Sequence, residues 1–70
     1  MSEIKSDMTG VIDNVLVEVG TAITEGQEVV VIESMKSLIT INATAGGTVK
    51  EVKVAPGDFV DAGEVLLVLE

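Results

Sequence analysis

Apolar residues in this chain occur in short runs, and polar segments that contain glycine separate the runs. Val52 and Val54 flank a lysine, which is the alternation of a half-buried strand. The runs 29–32 and 65–69 are continuously apolar and predict strands that are covered on both faces. No segment keeps the i, i+3, i+4, i+7 spacing of a long amphipathic helix. The pattern therefore predicts an all-β protein built from short strands and tight turns.

The sequence also matches itself when it is shifted by 37 residues. Residues 1–33 then align with residues 38–70 without a gap, and eight of the 33 positions are identical. The identical pairs are Ile4/Ile41, Gly10/Gly47, Val15/Val52, Val17/Val54, Gly20/Gly57, Gly26/Gly63, Val31/Val68 and Glu33/Glu70. Because the turn glycines coincide in register, the two halves are predicted to be quasi-equivalent.

Each half has the pattern strand, turn, strand, turn, strand, and neither half can bury both faces of its strands alone. Two halves that face each other can do so. The repeat therefore predicts one domain, residues 1–70, with pseudo-two-fold symmetry and about eight strands. Its half-repeats are 1–33 and 38–70, and a hairpin at 34–37 joins them. Since Glu33 corresponds to Glu70, we expect this hairpin at the opposite end of the molecule from both chain ends.

The joining hairpin breaks a rule that the other turns obey. No glycine occurs among the 19 residues from Gln27 to Ala45, although the chain must reverse direction within them. The strand-like flanks put Met35 and Lys36 at the corners. Two-residue hairpins favour Asn-Gly or Gly-Gly there, because both central residues need a positive φ. A local conflict of this kind indicates a functional position.

Charge and composition restrict the function further. Twelve acidic residues and four lysines give a net charge of −8, and this field repels phosphate backbones and anionic lipids. We therefore expect no nucleic-acid partner and no membrane contact. The scattered carboxylates are assigned to solubility. Without cysteine or histidine, the sequence predicts no metal site and no catalytic residue. The absence of an export signal and of a long apolar stretch predicts a soluble, cytoplasmic protein.

The hairpin sequence resembles a known modification site. Glu33-Ser34-Met35-Lys36 is similar to the E-[AS]-M-K-[ML] hairpin of the biotinyl domain of biotin carboxyl carrier proteins, a member of the biotinyl/lipoyl attachment family. The resemblance extends over the whole chain, from Ile4-x3-Met8-x-Gly10 to Gly57-Asp58-x-Val60-x2-Gly63. It implies a barrel-sandwich hybrid, a flattened β-barrel of two four-stranded antiparallel sheets, with the modified lysine exposed on a turn.

The same resemblance implies a role for each hairpin residue. Lys36 would carry covalent biotin, and a biotin protein ligase would recognise Glu33, Ser34, Met35 and Ser37. The domain would then be a carrier without catalytic activity, moving a carboxyl group between biotin carboxylase and carboxyltransferase. Ser37 departs from the family pattern, in which Met or another apolar residue usually follows the lysine.

Two alternatives stay open from the sequence. One is a lipoyl carrier of a 2-oxo acid dehydrogenase-type complex, although lipoyl domains typically have Asp before the lysine and Met35 favours biotin. The other is an unmodified hybrid-barrel module that serves assembly. Met8 and Phe59 are expected in the core, and the remaining lysines, Lys5, Lys50 and Lys53, on exposed strands.

Overall fold

The computed structural model describes residues 2–70. It contains eight strands: β1 (Ser2–Lys5), β2 (Gly10–Val15), β3 (Ala22–Ile23), β4 (Glu28–Ser34), β5 (Ser37–Asn42), β6 (Gly47–Val52), β7 (Phe59–Val60) and β8 (Val65–Leu69). None of the described residues lies in a helix, and so none forms a helix that could span a membrane. The all-β prediction is confirmed.

The strands form two four-stranded antiparallel sheets. We call the sheet with the order β5-β4-β2-β7 the hairpin sheet, and the sheet with the order β1-β8-β6-β3 the terminal sheet. In each sheet the central two strands come from one half of the sequence, and the outer two come from the other half. This arrangement confirms the predicted barrel-sandwich hybrid of two sheets.

Backbone hydrogen bonds follow the 37-residue repeat. The Gly20 amide donates to the Val49 carbonyl, and the equivalent Gly57 amide donates to the Ile12 carbonyl, both at 2.8 Å. A second equivalent pair joins the Gly26 amide to Ala43 at 2.8 Å and the Gly63 amide to Ser6 at 2.7 Å. Each of these bonds runs from a turn of one half to the other half. The internal two-fold is therefore present in the hydrogen bonding as well as in the sequence.

The core lies between the two sheets. Ten side chains are less than 2% exposed: Ile4, Ile12, Val29, Val30, Ile32, Val49, Val60, Leu66, Leu67 and Leu69. Within the continuous run 29–32, Val31 is half-buried, whereas its three neighbours are fully buried. Val29 and Val30 are both buried because a register shift between Glu28 and Val30 interrupts the alternation of strand β4. The continuous burial in this run therefore reflects the register shift, and the prediction that both faces of the strand are covered is not met at Val31.

The prediction for Phe59 is wrong. This side chain is 63% exposed, whereas the adjacent Val60 is 1% exposed and packs in the core. Strand β7 has only two residues, and successive side chains of a strand point to opposite faces. Only one of the two can therefore point inward, and that residue is Val60. Met8, by contrast, is partly buried and packs against the core as expected.

Gly10 begins strand β2 and lies directly beside strand β4. A Cβ atom at this position would lie 2.5 Å from the Glu33 carbonyl oxygen and 2.7 Å from Cγ2 of Ile32. Both contacts are closer than van der Waals packing allows, and the nearer one is with backbone that cannot rotate away. Only glycine therefore fits here without displacing β4.

We predict that Gly10→Ala lowers the free energy of unfolding by about 1–3 kcal/mol, the usual cost of overpacking. The melting temperature should fall by about 4–8 °C for each kcal/mol. Thr9→Ala, at the exposed neighbouring position, is the control and should change stability by less than about 0.5 kcal/mol. Denaturant unfolding measures both, and equal stability of the two variants would contradict the close packing at Gly10.

Candidate functional site at the β4–β5 hairpin

The hairpin between β4 and β5 has a two-residue turn. Ser34 pairs with Ser37, which leaves Met35 and Lys36 as the turn residues. Their φ angles are 52° and 66°, so both residues are in the left-handed region. A type I′ turn requires this at both central positions, and it matches the twist of the flanking strands. The predicted hairpin at 34–37 is thus present, with Met35 and Lys36 at its corners.

This turn is strained because neither corner is glycine. A left-handed conformation costs roughly 1–2 kcal/mol for a residue with a Cβ atom. Among residues 2–70, Met35 and Lys36 are the two non-glycine residues with a positive φ. The turns with φ between 89° and 96° all use glycine, at Gly20, Gly26, Gly57 and Gly63. Local strain that the surrounding fold holds in place is typical of functional sites.

The turn projects its side chains into solvent. Met35 is 95% exposed. It therefore does not pack on the rim of the core, as an apolar turn residue with a purely structural role would. Lys36 is also exposed. The internal two-fold relates this hairpin to the paired chain ends, Ser2 and Leu69. Because positions related by a two-fold lie on opposite sides of its axis, the hairpin and the chain ends are on opposite sides of this axis.

The ammonium group of Lys36 makes no ion pair or hydrogen bond with any described residue. Two other lysines differ in this respect. Lys53 donates a hydrogen bond of 2.9 Å to Glu51, which lowers the pKa of that carboxyl group, and Lys5 lies 4.0 Å from Glu3. The hairpin lysine is therefore presented to solvent without a partner among residues 2–70.

The other predicted site residues surround the turn. Ser34 is half-buried, and Ser37 is exposed at the start of β5. Glu33 is exposed and pairs with Leu38 across the hairpin and with Val11 on β2. All five predicted residues are thus adjacent, because they are consecutive in one hairpin.

Sequence reasoning missed two neighbours of this group. Val11 pairs with Glu33, and Phe59 pairs with Val11. Both therefore lie in one row across the strands with Glu33, although they are distant from it in sequence. A comparison of the two halves contained a signal. The 37-residue repeat pairs Val11 with Thr48, which is more polar, and Phe59 with Ala22, which is smaller.

We predict that the double substitution Met35→Asn and Lys36→Gly raises the free energy of unfolding by about 1–2 kcal/mol, because Asn-Gly adopts the type I′ turn with little strain. The matched control, Met35→Ala with Lys36→Ala, removes the same side chains but keeps both Cβ atoms. It should leave stability nearly unchanged. Denaturant unfolding compares the three proteins, and a loss of stability with Asn-Gly would show that the turn is not strained.

Comparison with known proteins shows similarity over nearly the whole chain. The model of the Biotin_lipoyl family, described as biotin-requiring enzyme, matches residues 1–69. The chain is similar to a biotin/lipoyl attachment protein of Bacillus subtilis, with 52% identity over 62 residues, which are 89% of this chain and 85% of that protein.

Two larger proteins contain a similar segment. The human mitochondrial propionyl-CoA carboxylase alpha chain is 45% identical over 69 residues, which are 99% of this chain but only 10% of that protein. The crystal structure of Kluyveromyces lactis urea carboxylase matches 99% of this chain with a TM-score of 0.90 and 30% identity, and the match spans 6% of that chain. The resemblance inferred from the hairpin sequence is confirmed, and the chain belongs to the Biotin_lipoyl family of biotin/lipoyl attachment domains.

Proposed function

We propose that this chain is a biotin carboxyl carrier in which Lys36 is the site of covalent biotin attachment. The observation that carries the proposal is an exposed lysine on a strained two-residue turn, without a partner in the described part of the chain, within the sequence Glu33-Ser34-Met35-Lys36. Family membership supports biotin as the cofactor. Residues 1–70 act as a single carrier domain, with the halves 1–33 and 38–70 joined by the hairpin 34–37.

The attachment chemistry asks little of the carrier itself. A biotin protein ligase activates the carboxyl group of biotin as an acyl-adenylate, and the lysine amine attacks it. An amide bond forms, AMP leaves, and the amine loses a proton. Lysine side chains are normally protonated at neutral pH, so the ligase has to provide the base and the positioning. The carrier contributes an accessible amine at a fixed place.

The geometry of the turn suits this task. A two-residue hairpin fixes the Cα position of Lys36, so a ligase loses less conformational entropy than it would on binding a mobile loop. The ligase recognises Glu33, Ser34, Met35 and Ser37, which surround the lysine. The 95% exposure of Met35 supports this, because covering an exposed apolar side chain with a partner removes apolar surface from water and so favours binding.

The wider role follows from the relatives. When bound, biotin carries a carboxyl group, and the partners are accordingly biotin carboxylase and carboxyltransferase. Two similar proteins are named as carboxylases, and this chain corresponds to 10% or less of each. In our proposal this chain is a carrier without catalytic activity, and catalysis belongs to its partners. The absence of cysteine is compatible with a reducing compartment, and we place the carrier in the cytoplasm.

Incubation with biotin, ATP and a biotin protein ligase should add the mass of one biotinyl group, as measured by intact-mass spectrometry. Lys36→Arg keeps the positive charge but removes the reactive amine, and this variant should gain no mass. The other lysines, Lys5, Lys50 and Lys53, remain in both proteins. An adduct on the Lys36→Arg variant would therefore show that another amine is modified and that the assignment to Lys36 is wrong.

A lipoyl carrier is the second candidate, because the similar protein from Bacillus subtilis is named for both biotin and lipoyl attachment. The parallel experiment uses lipoate, ATP and a lipoate ligase, and we expect no adduct. Lipoylation of Lys36 without biotinylation would show that the chain is a lipoyl carrier and not a biotin carrier. No adduct from either ligase would favour an unmodified assembly module.

A further inference from the structure

Four residues form a row across the outer face of the hairpin sheet. Leu38 pairs with Glu33, Glu33 pairs with Val11, and Val11 pairs with Phe59. Side chains of directly opposed residues in antiparallel strands lie on the same face of the sheet. We call these four residues the outer row. It lies one residue pair from the Ser34–Ser37 pair that closes the turn, which is about 3.4 Å along the strands.

The outer row faces solvent although three of its four side chains are apolar. Leu38 is 62% exposed, Phe59 63% and Val11 38%. Phe59 is also the sole aromatic residue of the chain. Met35, at the adjacent turn, is a further exposed apolar residue beside Lys36. Several exposed apolar side chains grouped beside a reactive group are typical of an interaction site.

The internal repeat shows that the fold does not require large apolar residues at the positions of Val11 and Phe59. In the terminal sheet, Thr48 occupies the position equivalent to Val11, and Ala22 occupies the position equivalent to Phe59. Thr48 and Ala22 pair with each other, as Val11 and Phe59 do. The same backbone therefore accommodates a polar residue and a small one. At these two positions, the larger apolar side chains occur in the hairpin sheet and not in the terminal sheet.

The charge in the outer row indicates what covers it. Glu33 is exposed and makes no ion pair with any residue from 2 to 70. A second copy of this chain would bring another Glu33 and another net charge of −8 against the same face. A partner with an apolar surface and a lysine or arginine opposite Glu33 complements the row instead.

We propose that the outer row is the docking surface for the biotin protein ligase that acylates Lys36. This inference rests on the proposed function. Before biotin is attached, the side chain of Lys36 alone must reach the ligase active site, so the ligase has to approach the turn closely. A surface one residue pair from the turn then lies within the contact area. Once the lysine carries biotin, the longer arm allows later partners to stay further away.

The test compares initial rates of biotinylation over a range of carrier concentrations, with a purified biotin protein ligase, biotin and ATP. The variant Val11→Thr with Phe59→Ala carries the residues found at the equivalent positions of the terminal sheet. We expect its kcat/KM to fall about tenfold through KM, the scale of losing an apolar contact residue in an interface. Val19→Ala is the matched control, because Val19 is 65% exposed but lies outside the hairpin sheet strands. It should behave like the native chain.

A second pair of variants tests the charge. Glu33→Gln should raise KM and make it less dependent on salt, because it removes the carboxylate that faces the ligase. Glu70→Gln removes the same charge at the equivalent position of the other half and should have no effect. The single variants Val11→Thr and Phe59→Ala are measured if the double variant is less stable.

The outcomes separate this inference from the proposed function. If the native chain accepts no biotin, the proposed function fails. If the native chain is biotinylated and the outer-row variants match Val19→Ala, the function stands and the docking surface is wrong. A fall in kcat with unchanged KM would also overturn the docking role, because a docking contact acts on association with the ligase.

Discussion

The structure depends on the exchange of backbone hydrogen bonds between the two halves of the chain. In each sheet, the outer strands of one half flank the central strands of the other half, and the turn amides donate across the same boundary. Neither half has a complete sheet of its own, so the core is buried only when both halves are present. In a chain of 70 residues without disulfides, this mutual burial is the main source of stability.

This constraint also holds the hairpin in its strained conformation. The chain passes from one half to the other at Met35 and Lys36. On either side of this turn, β4 and β5 are paired from Glu28–Asn42 to Ser34–Ser37. Those strands are fixed by the sheet, so the turn has two residues in which to close. The favourable pairing of the strands compensates for the left-handed conformations of both corners. A lysine with strained backbone is thereby kept at a defined position instead of on a mobile loop.

The duplicated scaffold is symmetric in its backbone but not in its surface. Gly10 approaches the Glu33 carbonyl just as Gly47 approaches that of Glu70, so both sheets obey the same packing constraint. The outward residues are free of that constraint, because they contribute little to the core. Phe59 and its counterpart Ala22 show how far such positions have diverged. A repeat of this kind supplies an internal standard that separates what the fold needs from what an interface needs.

The sequence by itself determined the all-β class, the 37-residue repeat, the hairpin at 34–37 and the family, because glycine spacing and the Glu-Ser-Met-Lys segment are local signals. It also marked Lys36 as the attachment site, which remains a prediction for experiment to test. The exposure of Phe59 and its alignment with Glu33 were decided by the tertiary structure alone. Strand register and the inward choice of Val60 depend on pairing between residues distant in the chain, and a one-residue shift reverses the face of every side chain.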